Sequence, residues 1–246
     1  MIRSGNPALK GEIFSRQGAI GVSDTMTVQG TATKAIILLA LLTLGAFYTW
    51  REFFSGNVQV VMPIAIGGGI VGFILAIVTI FKKTWAPVTA PLYAIAEGLL
   101  LGGLSATFEM RYPGIVVQAA GLTMCVFAAL LFAYKTRLIQ ATENFKLGMA
   151  AVMGGIMILY LVMFALSFFG IQFTMLHDSG PISIGFSIFV CVIAALNLVM
   201  DFDFIESGEA TGAPKYMEWY GAFGLVVTLV WLYIELLRLL SKLNKR

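Results

Sequence analysis

PISIGFSIFVCVIAALNLVMDFDFI, residues 181–205, is the stretch on which the fold turns. Through Met200 it is almost wholly apolar, and about 20 such residues suffice to cross a hydrocarbon layer. Asp201 and Asp203 then interrupt the run. A carboxylate at the edge of that layer is costly, so by default it signals function and calls for a partner. The rest of the chain resembles this stretch. It has 246 residues, of which 59% are hydrophobic and 12% charged, with a mean hydropathy of +0.90. A soluble domain would carry about a quarter charged residues. The composition therefore describes an all-α polytopic membrane protein.

Six further stretches qualify as spans: 33–50, 58–81, 88–108, 114–134, 147–170 and 219–240. The connections are short, which predicts one seven-transmembrane-helix bundle over residues 32–246. Residues 1–31 mix Gly, Ser, Asn, Pro and charges without the apolar core of a secretion signal. They are expected to form a cytoplasmic N-terminal segment, with the first span acting as an uncleaved insertion signal.

Lys and Arg set the orientation. Arg3, Lys10, Arg16, Lys34, Lys82, Lys83, Lys135, Arg137, Lys146 and Lys215 fall on the N-terminal side, against Arg51 and Arg111 in the opposite loops. The N-terminus is expected in the cytoplasm. Seven crossings then put the C-terminus outside, although the tail carries Arg238, Lys242, Lys245 and Arg246. Either the last segment crosses fully or it re-enters; its length favours crossing.

Few ionisable groups interrupt the apolar segments: Glu97, Asp201, Asp203, Glu235 and Arg238. No lysine lies inside a span, Lys34 standing only at the edge of the first, which removes a retinal Schiff-base protein. Asn197 and Asp201 are four apart and share a helix face, while Asp203 points the opposite way, toward headgroups or cytoplasm. Glu206, Glu209 and Glu218 follow. They read either as a solvated connector or as a cation-attracting vestibule. Glu97 lies roughly 13 Å into its span at 1.5 Å per residue. Burial there disfavours its charged form, so it is either a titrating group or a neutral acid bonded to a neighbouring helix. Thr228, Trp231, Glu235 and Arg238 share one face of the last span. Glu235 and Arg238 either line a pathway or pair within the helix. Glycines at 67–69, 72, 98, 102, 103, 154 and 155 fit close helix packing or a narrow pathway.

Enzymatic readings do poorly. Aspartyl proteolysis needs two carboxylates sharing a site, and no glycine-aspartate motif accompanies Asp201. Ser105 lacks a base, and the one histidine, His177, sits in an outer loop beside Asp178. Cys125 and Cys191 lie in apolar runs as small hydrophobes and show no metal spacing. No basic-aromatic interleaving suggests nucleic acid.

Taken together, several motifs resemble those of the Bax-inhibitor-type membrane proteins. They are Met200-Asp201-Phe202-Asp203-Phe204-Ile205, Tyr93-Ala94-Ile95-Ala96-Glu97-Gly98, and the last-span run from Trp231 to Leu240. Arg3-Ser4-Gly5-Asn6-Pro7 resembles a bacterial branch, which implies a bacterial inner (plasma) membrane. The resemblance implies a seven-helix bundle with the last helix near its centre. It implies a pH-sensitive calcium leak, gated by two proton-sharing aspartates on the last two helices. Asp201 matches the first. The second lies ten residues before the arginine of the last-span motif, a position held here by Thr228. Glu97 and Glu235 are the candidates to substitute.

The expected function is thus a proton-gated calcium leak, with a non-conducting regulator that binds other membrane proteins as the alternative. The expected pH-sensing and ion-pathway residues are Asp201, Glu97, Asn197, Asp203, Thr228, Glu235 and Arg238, and Asp201 would also touch calcium in transit. Calcium is the permeant ion rather than a cofactor. Protons and the lipid bilayer are the other expected partners.

Overall fold

The computed structural model describes residues 25–167 and 180–245. Seven long apolar helices make up the described chain. They are α1 (Val28–Phe54), α2 (Val58–Phe81), α3 (Ala86–Arg111), α4 (Ile115–Lys135), α5 (Glu143–Ser167), α6 (Pro181–Ala210) and α7 (Met217–Asn244). All seven expected spans are present. His177, Asp178 and the last three residues of the fifth expected span lie outside the described residues.

Local chemistry sets the boundaries. Thr27 caps α1: its side-chain oxygen accepts the Gly30 N–H at 2.9 Å, satisfying one of the orphan donors of a helix start. Gly114 enters α4 at φ 85°, a left-handed conformation natural to glycine. Proline opens both α3 and α6, where its missing N–H costs nothing. α1 begins at Val28, inside the expected N-terminal segment, and α6 runs on past residue 205 to Ala210.

Interhelical bonds define the two ends of the bundle. Thr27 bonds Glu218 at 3.0 Å, so α1 and α7 start together. Tyr134 bonds Glu206 at 2.5 Å, which sets the end of α4 beside the end of α6. At the far end, Lys242 near the close of α7 donates to Ser187 Oγ near the start of α6 at 2.7 Å. α7 is one uninterrupted helix of 28 residues, roughly 42 Å long. It passes from one end of the bundle to the other, without the break that a re-entrant return would need.

α7 is the central element. It touches α1, α3, α4 and α6 and buries Ala222, Phe223, Val226, Leu229 and Leu232 among them. Packing in a membrane depends on close van der Waals approach and small residues. A Cβ on Gly45 of α1 would lie 2.6 Å from the Ile95 carbonyl, and one on Gly68 of α2 would lie 2.6 Å from the Ala96 carbonyl. The backbone of α3 is thus pressed from two sides. Thr49 bonds the Leu99 carbonyl at 3.0 Å and Thr79 bonds Thr89 at 2.7 Å across the same seams. The outward faces of α1, α2, α4 and α5 carry exposed Phe47, Phe73, Phe132 and Ile158, as lipid contact requires.

Candidate functional site

Asp201 lies nine residues inside the end of α6, roughly 13 Å along the helix. The helix runs past the expected boundary at residue 205. The helix continues because its charged last turns find partners on α1, α4 and α5. Asp201 faces α7, where Gly224 and Thr228 are one turn apart. Gly224 lies beside it: a Cβ there would stand 3.9 Å from Asp201 Oδ1, an ordinary contact distance. Asn197, one turn before Asp201, donates from Nδ2 to Thr228 Oγ1 at 3.0 Å. The Thr228 hydroxyl lies within hydrogen-bonding reach of the Asp201 carboxylate and also of the Gly224 carbonyl, at 3.2 Å. Asp201 Oδ2 is buried with no hydrogen-bond partner. Leu198 and Phe202 beside it are buried too. A buried acceptor left unpaired costs about 1–3 kcal/mol, and more when charged.

The other expected site residues fall elsewhere. Glu97 sits on the α2–α3 seam, where a Cβ on Gly72 would come within 3.0 Å of its Oε2. Its electrostatic neighbour is Tyr93, and no described contact joins it to Asp201. Glu235 is 3% exposed and accepts from Arg238 Nη1 at 3.0 Å within α7, the pairing that spacing allowed. That pair lies seven residues beyond Thr228, roughly 10 Å along α7. Asp203 does point away from Asp201, but not toward headgroups alone: it pairs with Lys146 of α5 at 2.9 Å.

The acidic connector is also corrected. Glu206 and Glu209 belong to α6 and Glu218 to α7. Glu206 accepts from Tyr134, and Glu209 accepts the Val28 N–H at 3.0 Å. Glu218 is fully buried. It accepts the N–H and the hydroxyl of Thr27, each at 3.0 Å, and pairs with Lys34 and Lys215. Glu209 and Glu218 tie the start of α1 to the α6–α7 turn, Glu206 ties the end of α4 to α6, and the three do not form an open funnel. The sequence signal for this was Thr27 ahead of an apolar run, with Lys34 two turns on. Gly224 was the other residue passed over.

The glycines sort by position. Gly68, Gly98, Gly102 and Gly103 meet neighbouring helices, whereas Gly67, Gly154 and Gly155 face open space. The first four pack helices and the last three do not, so the set does not line one path. Cys125 and Cys191 are both free. Among the described residues no three His, Cys, Asp or Glu side chains converge as a metal site.

The family described as Bax inhibitor 1 like matches residues 6–245, nearly the whole chain. No curated protein and no solved structure matches it.

Proposed function

The chain belongs to the Bax inhibitor 1 like family of membrane proteins, and from that premise we propose that it is a cation leak, calcium being the favoured ion, regulated by protonation of Asp201. One observation carries the reading. A carboxylate oxygen is buried, without a hydrogen-bond partner, in a seam between two spanning helices. Such a group is expensive to keep. A role in taking up a proton or a passing cation gives a reason to keep it.

The residues around it supply a switch. The Thr228 hydroxyl has one proton and two acceptors, Asp201 and the Gly224 carbonyl. Ionised Asp201 draws that proton and ties α6 to α7. Protonated Asp201 competes for it poorly and needs an acceptor of its own. The seam therefore has different bonds in the two charge states, and only such a difference moves a closed–open equilibrium. Calcium takes oxygen ligands. One carboxylate with the neutral oxygens of Asn197 and Thr228 suits passage better than storage.

On this reading the protein is not an enzyme and holds no resident cofactor. Its partners are calcium ions, protons and lipid. The Lys and Arg imbalance supports an N-terminus in the cytoplasm, and the resemblance of residues 3–7 to a bacterial branch supports a bacterial inner membrane. The replacement of the family's second aspartate by Thr228 favours a second reading, a non-conducting regulator that binds other membrane proteins. Calcium flux into dye-loaded liposomes, titrated from pH 5 to 8 with purified protein, separates the two. Flux that varies with pH supports the leak. Absence of flux at every pH from well-folded protein leaves the regulator.

A further inference from the structure

The start of α1 closes one end of the α6–α7 seam with side chains that neither helix supplies. Thr25 pairs with Pro214 in an isolated antiparallel bridge, and the Met26 N–H donates to the Ala213 carbonyl at 2.7 Å. The Met26 side chain is 1% exposed. It fills the space over Gly208, where a Cβ would collide with its thioether. One step inward, Gly221 of α7 is filled over by Thr31 of α1 and Ile205 of α6. The next turn of α7 brings Gly224 against Asp201. Gly208 is seven residues from Asp201, roughly 10 Å along α6.

The fastening is polar. Glu218 holds Thr27 by two hydrogen bonds and is neutralised by Lys34 and Lys215, while Glu209 holds the Val28 N–H. A buried carboxylate held by two ammonium groups is a poor way to gain stability, and its best-attested use is to fix one arrangement against another. Lys215 is half exposed, and the Glu209 bond faces solvent. Water can compete for both, so the outer part of the fastening is open to exchange, while Glu218 itself stays inside the bundle.

We propose that residues 25–28 form a releasable strap, latched by Glu218, that seals the path from this end of the bundle to Asp201. Its role as a gate rests on the leak reading above; its latching does not. Opposed residues of an antiparallel bridge have Cα atoms about 4.5–5.5 Å apart, a spacing that admits a disulfide. In a background of Cys125→Ser and Cys191→Ala, the pair Thr25→Cys and Pro214→Cys locks the strap when oxidised. Separately, Glu218→Gln weakens the latch. Oxidation should abolish calcium flux in liposomes and reduction should restore it. Glu218→Gln should raise flux several-fold. It should also make Met26→Cys react several-fold faster with a water-soluble maleimide. If Glu218→Gln misfolds, the disulfide pair still decides, since it leaves the latch intact. Flux that responds to Asp201→Asn but to neither strap change overturns the gate and leaves the leak standing. If no variant conducts, the leak reading fails and the maleimide rates decide the latch. Faster labelling in Glu218→Gln supports it, and equal rates overturn it.

Discussion

Asp201→Asn keeps the shape of the side chain and removes its charge. An amide cannot titrate, so calcium flux should lose its pH dependence between roughly pH 5 and 8, the range in which a buried carboxyl titrates. Asp203→Asn should change that profile much less. Its loss falls on a solvent-screened pair with Lys146, and such surface pairs contribute little. A well-folded Asp201→Asn preparation with an unaltered profile would move the sensor elsewhere. Thr228→Asp puts a second carboxylate on α7, opposite Asp201 and beside Asn197. Two close carboxylates titrate as a coupled pair, so the flux profile should steepen or split into two steps. A profile superimposable on that of the unaltered protein would mean that residue 228 does not face the sensor. That Asn197 and Asp201 share a helix face was legible in the sequence because four-residue spacing is local. The burial of Glu218 was not. It is created by Thr27, 191 residues away, and no local pattern reports such a contact.

At the scale of the helix, glycine positions make opposite forecasts. A Cβ on Gly98 runs into the Leu42 carbonyl of α1, a backbone atom that cannot swing aside. Gly98→Val should therefore cost about 3 kcal/mol, at the upper end of overpacking effects. It should appear as a clear fall in melting temperature in detergent. Gly154→Ala meets nothing within 4 Å and should stay within about 0.5 kcal/mol of the original. Equal melting temperatures for the two would mean that α1 and α3 do not pack as described. Glu97 tests the α2–α3 seam in the same way. Glu97→Gln keeps length and loses only charge. Glu97→Lys puts an ammonium into a spanning helix, at about 2.5–3.5 kcal/mol near its centre, with Gly72 leaving no space beside it. The Gln variant should fold and the Lys variant should express poorly. If both fold alike with unchanged flux, Glu97 faces water or nothing of consequence. The seven spans were readable because hydropathy sums over neighbours in sequence. The last turns of α6 were not, since Glu206 and Glu209 resemble a loop until α4 and α1 supply their partners.

For the whole molecule, the distribution of charge between the two ends predicts which side of the membrane each faces. Lys82, Lys83, Lys135, Arg137, Lys146 and Lys215 gather where α1 starts, with Arg51 and Arg111 at the other end. The basic tail contradicted this as long as its charges were counted as free. Arg238 is paired with Glu235, and Lys242 turns back onto Ser187 and the Ser183 carbonyl. Two of the four tail cations are thus engaged by the bundle. α7 exceeds the roughly 30 Å of a hydrocarbon core without a break. Nothing in its geometry returns the tail to the starting side. In the background free of native cysteines, Ser15→Cys should react only with reagent admitted to the cytoplasm. Ser179→Cys and Lys245→Cys should react with impermeant reagent added to intact cells, once the outer membrane is opened. Reversed labelling at Ser15 and Ser179 would invert the molecule. Lys245→Cys labelling together with Ser15→Cys would mean that α7 turns back and that its full crossing is wrong. The pattern expected for an odd number of crossings has positions 179 and 245 on one face and position 15 on the other.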